Sequence, residues 1–164
     1  MRRMHLLVGF VVILATICFV YAWRPKNDIP DDPDEVILFS VDGTKMHMPP
    51  ADRGFSKDQE LLYDCAVLGK VVITDPALRR DAVASVKRDI RVGHSNQGKC
   101  LYFRHVLRVV KGGRSYDVVI CFECHNYELH RDGGPHVGLT PPIGDESKPL
   151  LNKILSDAGV PIAP

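Results

Sequence analysis

Two runs of strand-forming residues, 100–110 (CLYFRHVLRVV) and 115–125 (SYDVVICFECH), flank Lys111-Gly112-Gly113-Arg114. β-Branched and aromatic residues fill both runs, and a Gly-Gly pair tolerates the positive φ angles of a two-residue hairpin loop. With the glycines at the tip, one face carries the pairs Val109/Tyr116, Leu107/Val118, His105/Ile120, Phe103/Phe122 and Leu101/Cys124. The other carries Arg108/Asp117, Val106/Val119, Arg104/Cys121 and Tyr102/Glu123. A slip of one residue would set apolar against polar faces, so the register is well specified. His105 falls on the apolar face and reads as a core histidine with one hydrogen bond. Arg104, Arg108 and Glu123 share the less apolar face with Cys121, a candidate polar site for a second layer or a ligand to cover.

The same hairpin holds the densest chemistry. Cys121-Phe-Glu-Cys124-His125 has the spacing that attaches c-type haem. In a continuous strand, however, residues three apart point to opposite faces, and the two Cα atoms lie roughly 10 Å apart. That geometry forbids a shared macrocycle, a shared metal or a mutual disulfide. Haem is therefore not expected, and neither is any other cofactor. Cys121, Cys124 and His125 remain weak metal candidates, since further ligands would have to come from Cys65, Cys100, His130 or His136 at no familiar zinc spacing. Cys65, Cys100, Cys121 and Cys124 together form an even set suited to two structural disulfides, with three pairings open.

Elsewhere, residues 36–41 (VILFSV) read as a strand stopped by Asp42-Gly43, and 46–56 as loop. Residues 61–74 (LLYDCAVLGKVVIT) are a second apolar stretch, most convincingly a strand over 70–73. Asp75-Pro76 opens a helix, the aspartate capping free N–H groups and the proline lacking only a donor the first turn does not use. Leu78, Ala82, Val86 and Ile90 recur at helical spacing, and Gly93 suits the C-terminal cap. Residues 126–148 read as loop with a short strand over 136–140. A final helix around Leu150–Leu155 is expected to be capped by Ser147 and ended by Gly159.

Ahead of all this lie Met1 to His5, with two arginines and no acid, and eighteen uncharged residues from Leu6 to Trp23. Eighteen is near the lower edge for a bilayer-spanning helix and slightly long for a signal-peptide core. The expectation is a signal-anchor over 1–23, with cleavage after Ala22 and release as the alternative. Residues 24–35 (RPKNDIPDDPDE) read as a Pro- and acid-rich linker, and 36–164 as one domain. The domain is thereby placed outside the cytoplasm, with the membrane as the partner of the leader. Of 21 basic residues only Arg2 and Arg3 precede Trp23, and none of the 20 acidic ones does, leaving the remainder at −1. With no basic-aromatic stripe, nucleic acid is not an expected partner.

Val67-Leu-Gly-Lys70, the Asp75-Pro76 helix, Cys100 with Arg104-His105 and Arg108, Val119-Ile-Cys-Phe-Glu-Cys124 and Ala158-Gly-Val-Pro-Ile-Ala163 together resemble a family of small exported bacterial proteins. The likeness spans about Val36 to Pro164. That family has no assigned activity, so the resemblance carries over no catalytic residue. Its pattern usually has a residue other than histidine where His125 stands, which implies that the haem spacing is incidental.

The fold expected is α+β in the order β-β-α-β-β-(β)-α, helices on one face of a small, mostly antiparallel sheet. With no triad, acid–base pair or phosphate loop in view, the function expected is a non-enzymatic binding or structural module at the cell envelope. The alternative is a thiol-redox or metal-binding protein built on Cys121 and Cys124.

Overall fold

The computed structural model describes residues 29–100, 102–136 and 141–163. The apolar leader lies outside them, as does most of the strand expected over 136–140. Among the described residues no helix is long and apolar enough to cross a membrane.

The described residues form a small α+β domain with one antiparallel sheet and two α-helices. Six strands, β1 (Glu35–Asp42), β2 (Leu61–Leu62), β3 (Cys65–Val72), β4 (His105–Lys111), β5 (Arg114–Cys121) and β6 (Asn126–Arg131), align in the order β2-β3-β1-β4-β5-β6. Helix α1 (Pro76–Val92) follows β3, and α2 (Lys148–Asp157) follows β6. The Asp75 carboxylate accepts from the backbone N–H groups of Ala77 and Leu78, and Gly93 ends the helix at φ 64°.

The β4–β5 hairpin has the register its sequence dictates, from Lys111↔Arg114 at the tip to His105↔Ile120. Beyond that pair the expectation fails. Phe103 and Tyr102 are not in strand, β5 stops at Cys121, and residues 122–125 form a turn into β6. The Phe103/Phe122 and Tyr102/Glu123 pairs are therefore absent from the ladder, and of Leu101/Cys124 the cysteine sits in the turn. The sixth strand lies at Asn126–Arg131, where loop was expected. Ser147 also departs from its expected role. It precedes α2 but makes no side-chain cap. Its N–H and hydroxyl instead both donate to the buried Asp89 carboxylate.

The sheet has two covered faces. Val36, Leu38, Leu107, Val109, Val118 and Ile120 pack beneath Val83, Val86, Leu151 and Leu155 of the two helices. On the opposite face Phe39, Val41, Val106, Val119, Cys65 and Cys121 pack with Leu62 of β2 and with Phe103, Met46 and Tyr63 from the connecting segments. Gly43 is needed here, because a Cβ at that position would stand 2.7 Å from the Phe103 amide nitrogen. Residues 29–34, read from sequence as tether, lie against the domain. Ile29 is buried, Lys87 donates to its carbonyl at 2.8 Å, and Asp34 takes Lys111 and the Gly112 N–H.

Candidate functional site

Register places cross-strand rows on the helix-free face. One reads Val72, Ile37, Arg108, Asp117, His130, and the next Lys70, Phe39, Val106, Val119, Glu128. Beyond them β5 ends on Cys121, whose side chain continues the same face.

In the first row Arg108 grips Asp117 through two bonds, Nε to Oδ1 at 2.8 Å and Nη2 to Oδ2 at 2.6 Å. The Tyr63 hydroxyl donates to the same Oδ2 at 2.6 Å, and its ring stacks on His130 at 3.9 Å. Burial and then Asp117 push the Tyr63 hydroxyl far above its ordinary value, so it stays a donor. His130 sits 3.0 Å from Glu128 and 2.8 Å from the Gly134 carbonyl. Burial pulls the His130 pKa down, but Glu128, the carbonyl and Asp117 outweigh it and raise it overall. Sequence reading did not find Tyr63 or Glu128, and it named His130 only as a further metal ligand, not as a member of this row. Tyr63 enters from a tight turn at φ 52°, and nothing local in the sequence marks that turn.

Arg104, Arg108 and Glu123, expected on one polar face, separate into two groups. Arg108 belongs to Asp117, while Arg104 lies 3.3 Å from Glu123, and the Val106/Val119 pair stands between them. Glu123 also takes Lys148 at 3.1 Å. Burial pushes Glu123 up, yet its own backbone N–H, Lys148 and Arg104 together hold it below the ordinary carboxylate value.

The cysteines are arranged differently from expectation. Because the chain turns after Cys121, Cys124 folds back, and the sulfurs of Cys100, Cys121 and Cys124 all lie within 4.8 Å of one another. Cys100 and Cys124 are disulfide-bonded with Cα atoms 5.7 Å apart, while Cys65 and Cys121 are free and buried. There is thus one bridge where two were expected. The continuous-strand separation of Cys121 from Cys124 gives way to a turn whose residue His125 adopts φ 52°. Histidine tolerates that conformation better than most residues, which is why a turn without glycine escapes a sequence reading.

The pieces around the cluster are held independently of the bridge. Gly98 N–H donates to the Cys124 carbonyl at 2.8 Å, and Asn126 Nδ2 donates to the Gly98 and Cys100 carbonyls at 2.8 and 3.1 Å. A Cβ on Gly98 would meet Cys124 Cα at 3.2 Å, so close approach of the two segments depends on glycine. Burial leads at Cys121, and its thiol lies above the ordinary value although the backbone N–H groups of Cys124 and Tyr102, and Arg104, favour the thiolate. Cys65 is pushed further, to about 12, by burial and then by Asp64, Asp42 and Glu128.

His125, the third residue of the haem spacing, turns away from the sulfurs and stacks on His94 with ring centroids 3.5 Å apart. His105 is buried and lies 2.8 Å from Asn152 Oδ1 of α2, in agreement with a core role. A shallow cleft between β3, the start of α1 and the end of α2 contains none of the cysteines.

The fold and cluster define a small α+β domain carrying a free thiol beside a disulfide. No family model matches the chain, and neither a curated protein nor a solved structure matches it.

Proposed function

We propose that this chain is an exported envelope domain, held at the membrane by its apolar leader, that works by thiol–disulfide exchange at Cys100, Cys121 and Cys124. The observation that carries this reading is the third sulfur. Cys121 is a free thiol within 4.8 Å of both sulfurs of a disulfide. The Cys121 thiolate attacks Cys124 Sγ; a Cys121–Cys124 bond forms as the Cys100–Cys124 bond breaks. Cys100, the least buried of the three, leaves as the thiolate. The released Cys100 thiolate then attacks an external disulfide, forming a mixed disulfide, and the expelled partner thiolate takes up the proton that Cys121 lost. The reading takes no cofactor and no nucleic acid.

The second reading is the non-enzymatic binding or structural module, with the bridge as a tie between segments. The burial of Cys121, which raises its thiol, favours it, because a protonated thiol is a poor nucleophile. Incubation with a peptide disulfide at mildly alkaline pH separates the two. Exchange predicts that Cys100 acquires the peptide in the wild type and not in Cys121→Ser. Equal labelling of both proteins, or none of either, supports the structural tie.

A further inference from the structure

We propose that, when the Cys100–Cys124 bridge is reduced, Cys100, Cys121 and Cys124 form a three-thiolate site for a thiophilic divalent ion of the zinc type. The proposal uses the same cluster as the exchange reading but concerns its reduced state and stands without it.

The sulfur separations suit an ion. A tetrahedral ion with metal–sulfur bonds of about 2.3 Å needs sulfurs about 3.8 Å apart. The three Sγ atoms already lie within 4.8 Å of one another, so an ion requires Cys121 to close by no more than about 1 Å. The formerly bonded pair must open from about 2.0 Å, which side-chain rotation supplies without moving the backbone.

The three ligands are also held in place before any ion binds. Cys121 and Cys124 bracket a tight turn, and the third ligand arrives from a separate segment. That segment is pinned by the Gly98–Cys124 and Asn126–Cys100 backbone contacts described above, not only by the bridge. Reduction therefore leaves the three sulfurs facing one another. The Cys124 and Tyr102 backbone N–H groups favour the charged form of Cys121, and donors around a metal ligand stabilise its negative charge.

Charge favours a divalent ion. Three thiolates around a divalent ion leave a net −1, whereas a monovalent ion would leave −2. Arg104 has a side chain only 15% exposed, and its Nη1 is buried without a hydrogen-bond partner among the described residues. Glu123 takes both Arg104 and Lys148, so the three groups carry one net positive charge, which balances the divalent complex and not the monovalent one. The fourth coordination position falls to water or an incoming ligand, as in an open zinc site.

The balance is closed. A phosphine reductant and water convert the disulfide to two thiols and phosphine oxide, and the three thiols release three protons as the ion binds. The test uses the full chain in detergent, reduced with a phosphine and titrated with zinc. One ion per chain, about three protons released per ion, and three sulfur ligands at about 2.3 Å by X-ray absorption are expected. Cys121→Ser should lose more than the roughly 100-fold that outer-shell changes cost, while Cys65→Ser binds as the wild type does. Two or fewer sulfur ligands in the wild type would overturn the site, as would undiminished affinity in Cys121→Ser. The wild-type absorption measurement decides the matter even where a variant fails to fold. Zinc capture without exchange, or exchange without capture, tells the two proposals apart.

Discussion

Arg108 and Asp117, directly opposite on β4 and β5, share two parallel hydrogen bonds, and only the carboxylate is fully buried. The asymmetry sets what each truncation leaves behind. Arg108→Ala strands a buried carboxylate that keeps the Tyr63 hydrogen bond, whereas Asp117→Ala leaves a guanidinium that reaches solvent and keeps Phe39 beneath it. Breaking such a pair costs about 3–5 kcal/mol. Denaturant unfolding should place Asp117→Ala at the low end and Arg108→Ala at the high end. Equal small losses would show that the pair is not a single buried unit.

The Cys100–Cys124 bridge closes a sequence separation of 24 residues. Reduction in the presence of a chelator should cost about 3 kcal/mol, and Tm should fall by about 10 °C. Zinc added to the reduced chain should restore part of the loss, because an ion that binds only the folded state stabilises it. Calorimetry of Cys65→Ser, which leaves the bridge intact, should show the same drop on reduction.

His105 and His130 act on stability in opposite senses. Burial depresses His105 to about 4 in the folded state, against about 6.5 in the unfolded chain. Between those values the unfolded state binds more protons, so stability is complete above about 6.5 and declines as pH falls to 4. The loss is about 3 kcal/mol. His130 is raised, so its contribution is complete below the unfolded value and is lost as pH climbs through the folded one. Stability measured from pH 7 to 4 should fall less steeply in His105→Phe than in the wild type. An unchanged profile would contradict the buried neutral imidazole.

Much of this architecture can be read from the residues, and the failures have physical causes. The β4–β5 register, the Asp75-Pro76 helix and the buried role of His105 follow from alternation, capping and polarity, all of which act locally. The sulfur cluster was hidden by one turn. Phe122 continues the apolar alternation of β5 and packs under the helices beside His105, so nothing before Cys124 signals a break. The reversal rests on His125 at positive φ and on Cys121↔Asn126 closing a new hairpin, neither of which has a glycine or proline to announce it. Arg104, Arg108 and Glu123 do not form one site, because each arginine found an acid of its own.

Exchange within the cluster should depend on pH with a definite sign. The attacking species is the thiolate, and the Cys121 thiol lies above the ordinary value chiefly because it is buried. The rate should be low at neutral pH and climb through the alkaline range, tenfold per pH unit until the thiol ionises. Arg104→Ala removes a charge that favours the thiolate and should shift the profile to still higher pH. A flat profile would mean that Cys121 is not the nucleophile.

Disulfide mapping of the oxidised chain tests the central claim most directly. Samples held at neutral and at alkaline pH are alkylated, digested without reduction and analysed by mass spectrometry. The account predicts a Cys121–Cys124 linkage, with alkylated Cys100, that grows with pH in the wild type and is absent from Cys121→Ser. A Cys100–Cys124 linkage that persists alone at every pH, with Cys121 recovered as the free thiol, would contradict it.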